Sequence, residues 1–417
     1  MKYGLIGEKL GHSFSPEIHK RIGDYPYVLK ELAPNEVEGF MKAKDFCAIN
    51  VTIPYKKTVI PYLHFISDEA KMIGAVNTVV NKNGVLYGYN TDFEGLKSLI
   101  LRVTSGKELH GKVLILGTGG TSLTANAVCR AMKADEIITV SRSAKDGCIS
   151  YDEAYEKHSD ASYIINCTPC GMYPKDNDCP IDIERFPQLR GVIDAIYNPL
   201  RTVFIRTAKK KGIPAEGGLY MLVSQAVRAY EYFFGITPDA SLTERVYSEI
   251  LREKQNVVLI GMPSCGKTSI GKKLCELMGT KMIDTDEEIT KKSGMPIPEI
   301  FQKYGEKHFR DLESEVIREL SSGVTGTVIS TGGGAILRNE NVDLLRANGI
   351  LVFLDRPLSM LTATSDRPLS SDVEALKKRF EERYPIYNSV CDIKVPSVND
   401  VASVAFEIAE LMKREQL

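Results

Sequence analysis

The sequence predicts an α/β protein built from more than one domain, on three observations. A glycine turn, Gly261-Met-Pro-Ser-Cys-Gly-Lys-Thr268, lies between an apolar strand at 256–260 and a helix at 269–278, and it fits G-x4-G-K-[ST]. A second turn, Gly117-Thr-Gly-Gly120, lies between a strand at 112–116 and a helix running to about 132. Ahead of both, the first hundred residues alternate short strands with helices, the pattern of a layered α/β fold.

Bulk properties narrow the class. A chain of 417 residues is long enough for two or three domains. Its 43% hydrophobic and 26% charged content is ordinary for a globular protein. A formal net charge of −1 gives no general attraction to nucleic acid or membrane. The nine cysteines are scattered, and Cys167-x-x-Cys170 has no second pair at zinc-site spacing. They read as reduced thiols of a cytoplasmic protein. The start lacks a signal-peptide run, and no stretch reaches the ~18 apolar residues of a membrane span. Oligomeric state is not set by these properties.

In chain order, residues 3–6 read as a strand. Gly11-His-Ser-Phe-Ser-Pro16 is a loop feeding a helix, with Ser15 expected as N-cap and Pro16 in the first turn. A strand at 47–52 ends in Asn50-Val-Thr-Ile-Pro-Tyr-Lys56, where Pro54 stops it. Residues 78–81 and 84–89 form a hairpin across an Asn-Gly turn. Asn90-Thr-Asp92 then leads into a helix from about 93. Polar residues thus gather at strand ends: Ser13, Ser15, Thr52, Lys56, Asn77, Asn90 and Asp92. Ligands of α/β sheets gather at one end of the strands. Taken singly, each residue reads as a cap or a solvated side chain before it reads as a ligand contact, and Asp92 could cap its own helix.

The second glycine turn opens a βαβ unit that continues into a strand at 136–140. Ser122 replaces the last glycine of G-x-G-x-x-G. Ser141-Arg142-Ser143 follows the second strand, where an enzyme selecting NAD places an acid. A guanidinium there suits a 2′-phosphate and argues for NADP(H), although Arg142 also reads as a surface arginine. Asn166-Cys-Thr-Pro-Cys-Gly-Met172 and Asp194-Ala-Ile-Tyr-Asn-Pro199 follow two more strands, and Gly217-Gly-Leu-Tyr-Met-Leu-Val-Ser-Gln225 opens a helix. A helix-like stretch at 237–254 carries the chain to the next domain without a flexible linker.

In the last third, the P-loop places backbone N–H groups and a helix N-terminus around phosphate. Lys267 can reach the β- and γ-phosphates, and Thr268 can offer its hydroxyl to Mg²⁺. A strand at 281–283 ends in Asp284-Thr-Asp286. Of two such carboxylates, one can hold Mg²⁺ through water and the other can face a substrate hydroxyl, or either can cap the next helix. Arg310 and Glu313 are spaced to share a helix face, and alone would read as a surface ion pair. Gly332, Gly333 and Gly334 follow a strand and leave bare backbone for close approach. Asp366-Arg-Pro-Leu369 lies in a candidate lid, and Arg383-Tyr-Pro-Ile-Tyr387 ends a helix.

In the first half, the motifs at 11–16, 50–56, 74–78 and 90–92 resemble shikimate dehydrogenase in kind and order. The resemblance implies that Ser13, Ser15, Thr52, Asn77 and Asp92 line a polyhydroxy-acid pocket, with Lys56 and Asp92 as the catalytic pair. It implies that Tyr197 and Gln225 reach toward the substrate. Gly117, Gly119, Gly120, Ser141, Arg142, Thr168, Met172 and Gly218 would then serve the dinucleotide. Lys9 and Lys20 depart from the family pattern beside the substrate loop.

The segments from 255 to 395 resemble shikimate kinase. By that resemblance Gly261, Cys265, Gly266 and Thr268 hold ATP, with Mg²⁺ on Thr268 and Asp284. Lys267 stabilises the transferred group and Asp286 accepts the hydroxyl proton. Arg310 and Arg383 hold the substrate carboxylate, a task suited to a planar bidentate donor. Gly332 to Gly334 pack against the ring, and Arg367 closes over the phosphates. Cys265 is unusual in a P-loop, and the stretch 359–365 lacks an arginine often found there.

The expected layout is a substrate domain at 1–100 with a returning helix near 238–253, and a Rossmann-type NADP domain at 101–237. A P-loop kinase domain of nucleoside-monophosphate-kinase type follows at 254–417. The expected substrates are 3-dehydroshikimate and shikimate, in consecutive steps. Other readings are a quinate/shikimate dehydrogenase using NAD, a different metabolite kinase such as one for gluconate, or a sensor that binds without turnover.

Overall fold

The computed structural model describes residues 1–11, 13–144, 147–361 and 373–414. It divides into two compact units, Met1–Ile250 and Leu251–Leu417. Among the described residues no helix is long and apolar enough to cross a membrane.

The first unit holds two sheets. One contains β1 (Tyr3–Gly7), β2 (Val28–Glu31), β3 (Ala48–Val51), β4 (Phe65–Ile66), β5 (Thr78–Lys82) and β6 (Val85–Tyr89), in the order β2-β1-β3-β5-β6-β4. β1 runs parallel to β2 and β3, whereas β5 is antiparallel to both β3 and β6. The expected hairpin turn carries Asn83 at φ 53° and Gly84 at φ 84°, as a twist-matched two-residue turn requires. The other sheet is wholly parallel: β7 (Lys112–Leu116), β8 (Glu136–Val140), β9 (Tyr163–Asn166), β10 (Gly191–Asp194) and β11 (Ala215–Glu216), ordered β11-β10-β9-β7-β8. β9 and β10 are buried throughout, so their sequences read as apolar runs rather than alternations.

Two helices join these sheets. Helix Asp92–Val103 packs closely on helix Leu219–Phe234, where a Cβ on Gly95 would lie 2.7 Å from Met221 O. The second helix also buries Ala229 and Phe233 with Ala48 and Val80 of the first sheet. The returning helix begins at Leu242 rather than 237, because Asp239 accepts the Ser241 N–H at 2.8 Å in a turn ahead of it. It is tied back by Arg102 Nη1 to Glu244 at 2.8 Å.

Two caps differ from expectation. Helix Ser15–Ile22 is entered through Phe14, and helix Asp92–Val103 through Thr91, neither with a side-chain cap. Ser15 and Asp92 are the first helical residues. Their side chains turn to Ser13 and Lys56 respectively and are not spent on backbone N–H groups.

The second unit is one parallel sheet, β12 (Asn256–Ile260), β13 (Met282–Asp284), β14 (Val328–Ser330), β15 (Gly349–Asp355) and β16 (Ile393–Pro396), ordered β13-β14-β12-β15-β16. The central pair supplies the core, with Val257 to Ile260 and Ile350 to Leu354 all buried. A smaller cluster of Ile289, Ile300, Phe309, Val316 and Leu320 supports the helices Thr285–Ser293 and Ile297–Gly323. The latter breaks at Gly305, whose φ of 80° admits glycine readily.

Candidate active sites

In the first unit, Lys56 follows β3 and Asp92 opens helix Asp92–Val103. The fold brings Lys56 Nζ to 2.5 Å from Asp92 Oδ2, with both side chains only partly buried. Val76 N–H donates to Lys56 O at 2.8 Å, which fixes the lysine backbone beside Asn77. Asn77 Nδ2 donates to Thr91 Oγ1 at 3.0 Å, and Thr91 N–H donates to Asn77 Oδ1 at 2.7 Å. Thr91 Oγ1 lies 3.2 Å from Gln225 Oε1. Asn77 and Gln225, remote in sequence, therefore meet through the residue next to Asp92.

Ser13 and Ser15 pair through their hydroxyls at 3.1 Å, and Phe14 between them packs its ring 5.3 Å from that of Tyr197. This draws the first loop toward the end of β10. Thr52 sits half-buried where β3 ends.

Sequence reasoning missed Thr91, Asn50, Tyr27 and His19. Tyr27 donates its hydroxyl to Asn50 Oδ1 at 2.7 Å, and Asn50 Nδ2 donates to Thr78 Oγ1 at 3.0 Å. His19 stacks on Tyr27 at 3.7 Å, and burial pushes its imidazole down to about 3. Thr91 and Asn50 lie within the recognised motifs and so were within reach. Nothing in the sequence marks the His19–Tyr27 stack.

The dinucleotide side is built from strand ends of the parallel sheet. Gly117 has φ 104°, and a Cβ there would press Thr168 Cγ2 at 3.0 Å. Gly119 and Gly120 face open space, so backbone N–H groups of the turn can be approached by phosphate. Ser122, in place of glycine, is buried. Ser141 bonds Ser143, and Arg142 is exposed at the end of β8. Thr168 donates both its N–H and its hydroxyl to Asn166 Oδ1, at 3.0 and 2.7 Å. Asn166 in turn donates to Asp194 Oδ1 at 3.0 Å. Thr202 and Ile196 N–H also donate to Asp194, so this buried carboxyl links the loops carrying Thr168 and Tyr197. Burial pushes Asp194 up to about 7, against the pull of its three donors. Gly218 crosses so close to Ala195 that a Cβ would lie 2.2 Å from its carbonyl oxygen. Met172 is exposed at the surface of the Thr168 loop.

In the second unit the P-loop takes the backbone its glycines allow, with φ 149° at Gly261, 64° at Ser264 and 99° at Gly266. Lys267 is buried, and its Nζ donates to Gly261 O and Met262 O, both at 2.9 Å. Cys265 is buried, and its carbonyl accepts the Ser397 hydroxyl at 3.0 Å. Thr268 Oγ1 lies 3.1 Å from Asp284 Oδ2, a hydroxyl and a carboxylate together at the loop, which suits a Mg²⁺ ion. Asp284 also caps the next helix by accepting Asp286 N–H at 3.0 Å. Capping falls to Asp284, and the Asp286 carboxyl turns to the neighbouring cavity.

That cavity, of about 620 Å³, is lined by Asp286, Arg310, Glu313, Gly332, Gly333, Gly334 and Arg383, with Phe301 and Phe309 on its apolar wall. Arg310 and Glu313 form a buried pair at 2.7 Å, not the surface pair their spacing alone allowed. Burial raises the Glu313 carboxyl, and Arg310 opposes the shift. Arg383 Nη1 donates to Gly333 O at 3.0 Å. The three glycines have a specific use. A Cβ at Gly332 would lie 2.8 Å from both Asp286 and Glu313, at Gly333 2.9 Å from Pro263, and at Gly334 2.3 Å from the Arg310 guanidinium. Phe301 and Phe309 escaped the sequence reading, which also took Glu313 only for a surface partner and Tyr387 only for a helix end, because each gains its position from packing. Arg367 lies outside the described residues.

These two arrangements define a class: a two-part enzyme with a dinucleotide-dependent oxidoreductase half and a P-loop phosphotransferase half. Family models agree with both halves. The model for the shikimate dehydrogenase substrate binding domain matches residues 5–79, and that for the shikimate 5'-dehydrogenase C-terminal domain matches residues 218–246. The shikimate kinase model matches residues 263–413. Shikimate dehydrogenase (NADP(+)) of Clostridium perfringens (strain SM101 / Type A) is 40% identical over 267 residues, covering 60% of this chain and 97% of that relative. Among solved structures, the chorismate mutase/shikimate 5-dehydrogenase fusion protein of Clostridium acetobutylicum is 36% identical with a TM-score of 0.56, covering 60% of this chain and 96% of that one. Shikimate 5-dehydrogenase of Thermus thermophilus, solved with NADP(H) and shikimate, is 28% identical with a TM-score of 0.53, covering 60% of this chain and 99% of that one. The chain belongs to the shikimate dehydrogenase family and carries a shikimate kinase domain in its C-terminal part.

Proposed function

We propose that this chain performs two consecutive reactions of the shikimate pathway. The first unit reduces 3-dehydroshikimate to shikimate with NADPH, and the second phosphorylates shikimate with ATP and Mg²⁺. The observation that carries the reading is that each unit joins a phosphate-ready glycine turn to a gathering of polar side chains: Lys56, Asn77, Asp92 and Gln225 in the first, Asp286, Arg310 and Arg383 in the second. In the second unit, two arginines and an aspartate line a single cavity beside the P-loop.

In the first unit NADPH, when bound, supplies the hydride to the ketone carbon. Lys56 then gives a proton to the carbonyl oxygen, and Asp92, 2.5 Å away, orients the ammonium and a substrate hydroxyl. Ser13, Ser15, Thr52, Asn77, Tyr197 and Gln225 hold the remaining polar groups of the acid. Gly117, Gly119, Gly120, Ser141, Arg142, Thr168, Met172 and Gly218 receive the dinucleotide, with Arg142 for the 2′-phosphate. Holding the ketone and the dinucleotide in register removes much of the entropic barrier.

In the second unit Mg·ATP, when bound, supplies the phosphoryl group. Arg310 and Arg383 take the substrate carboxylate, and Glu313 keeps Arg310 in place. Asp286 accepts the proton of the attacking hydroxyl. Lys267 neutralises charge on the transferred group, while Gly261, Cys265, Gly266 and Thr268 cradle the phosphates. Thr268 and Asp284 hold the metal, and Arg367 completes the phosphate site. The nine cysteines, all free, fit a reducing compartment, the cytoplasm.

A coupled assay tests the reading. Given 3-dehydroshikimate, NADPH and Mg·ATP, the protein should consume both nucleotides in equal amounts. Omitting NADPH should halt ATP use until shikimate is added. ATP use that ignores shikimate, or NADPH oxidation that ignores 3-dehydroshikimate, would overturn it.

A further inference from the structure

The second unit contains a buried hydroxyl that the reaction scheme does not use. Tyr387 lies on helix Val373–Val390, four residues beyond Arg383, and is 1% exposed. Its ring stacks on Phe353 of β15, with centroids 5.0 Å apart and planes inclined by 15°. The stack directs the phenol into the gap between two loops. There the hydroxyl meets Gly261 O, the first carbonyl of the P-loop, at 2.9 Å, and Gly333 O, in the glycine triplet, at 2.5 Å.

Each of those carbonyls has a second donor. Gly261 O also accepts from Lys267 Nζ at 2.9 Å, and Gly333 O also accepts from Arg383 Nη1 at 3.0 Å. The phenol has one proton, which the two carbonyls share or take in turn, so a line of polar contacts runs from Lys267 through Gly261, Tyr387 and Gly333 to Arg383. Its ends are the cation assigned to the phosphoryl group and a cation assigned to the substrate carboxylate. The ring is packed in the core against β15, so its hydroxyl offers both loops one rigid reference.

We propose that Tyr387 is a positioning residue for phosphoryl transfer: it ties the P-loop to the acid-binding glycine loop and sets the distance between the two reactants. The proposal rests on the assignment of Lys267 and Arg383 given above. A ligand that draws Lys267 or Arg383 forward weakens one donor to a loop carbonyl. The single phenolic proton then compensates at that end, and the loop keeps its place. Without the tie, each loop still binds its own ligand, but the attacking hydroxyl and the phosphoryl group lose their fixed separation. Rate is steep in that separation, and each ligand's own affinity is not.

The test is Tyr387→Phe, which keeps the ring on Phe353 and removes only the hydroxyl. The full chain serves, because reduction by the first unit reports concentration and integrity in the same sample. With both substrates saturating, kcat for phosphorylation should fall about tenfold or more. The KM values for shikimate and ATP should stay within about twofold, since the charged ligand contacts remain. An unchanged kcat overturns the proposal. So does a loss confined to KM, or one that tracks a fall in melting temperature and returns on cooling the assay, since these mark a merely structural residue. Lys267→Met is run beside it. If Lys267→Met keeps turnover, the underlying site assignment fails; if it is inactive while Tyr387→Phe matches wild type, only the tie fails.

Discussion

The two glycine turns share a topology and differ in where their cation sits. Gly117-Thr-Gly-Gly120 runs from β7 into helix Gly120–Ala131 with no basic side chain in the turn, and Arg142 waits exposed beyond the next strand. The P-loop runs from β12 into helix Lys267–Met278 with its lysine inside the turn, buried and bonded to two loop carbonyls. An exposed arginine at a strand end suits a phosphate that serves only as a handle. A buried lysine held by its own loop suits a phosphate group that must react, because the charge is placed before the reaction begins. On the proposed assignment, one supersecondary unit serves recognition in one half and chemistry in the other.

The comparison is broken most sharply by removing the groups proposed to handle protons. Lys56→Ala should lower NADPH-dependent reduction by about 10²- to 10⁴-fold while leaving phosphorylation intact. Asp286→Asn should do the reverse by a similar factor, with nucleotide binding by calorimetry unchanged. Loss of nucleotide binding would instead make Asp286 structural. If either change damaged both activities, the halves would not be independent sites.

A smaller effect tests the handle. Arg142→Ala removes charge-assisted bonds to a 2′-phosphate, worth about 1.5–3 kcal/mol. The KM for NADPH should rise by about 10- to 100-fold, with the KM for NADH unmoved. Equal effects on the two cofactors would return Arg142 to an ordinary surface residue.

Smaller again is the change at the glycine triplet. In Gly334→Ala the new Cβ would lie 2.3 Å from the Arg310 guanidinium, which must shift. The KM for shikimate should rise about tenfold, the loss of part of one charged hydrogen bond, while the KM for ATP holds. A rise in the ATP value alone would place Arg310 on the nucleotide side.

The smallest expected effect is one of stability. His19 is neutral in the fold because burial lowers it to about 3, whereas an unfolded chain protonates near 6.5. Acid therefore favours the unfolded state: this contribution is complete above about 6.5 and is lost as pH falls toward 3. At pH 5.5 the loss is about 1.4 kcal/mol, readable as a lower denaturant midpoint for reductase activity. His19→Gln should flatten that slope. A slope unchanged by the substitution would assign it to other groups.

Much of the fold was legible because the central strands of both parallel sheets are buried on two faces, so they stand out as short apolar runs, two of them leading into glycine turns. Lys56, Asp92, Lys267 and Thr268 were legible for a related reason: each sits at a strand end or helix start that its own neighbours in sequence define. Helix entries were less so. Ser15 and Asp92 have the chemistry of caps, and only the positions of Ser13 and Lys56 show that their side chains are engaged elsewhere.

The sequence by itself determined the local units: the two glycine turns, the strands that carry them, and the order of the polar loops. Tertiary structure alone decided which remote side chains meet. Asn77 reaches Gln225 through Thr91, Arg310 and Glu313 become a buried pair, and Tyr387 joins Gly261 to Gly333. The reason is physical. Backbone propensity and turn chemistry act over a few residues, whereas burial and partnership depend on the packing of segments that the chain keeps far apart.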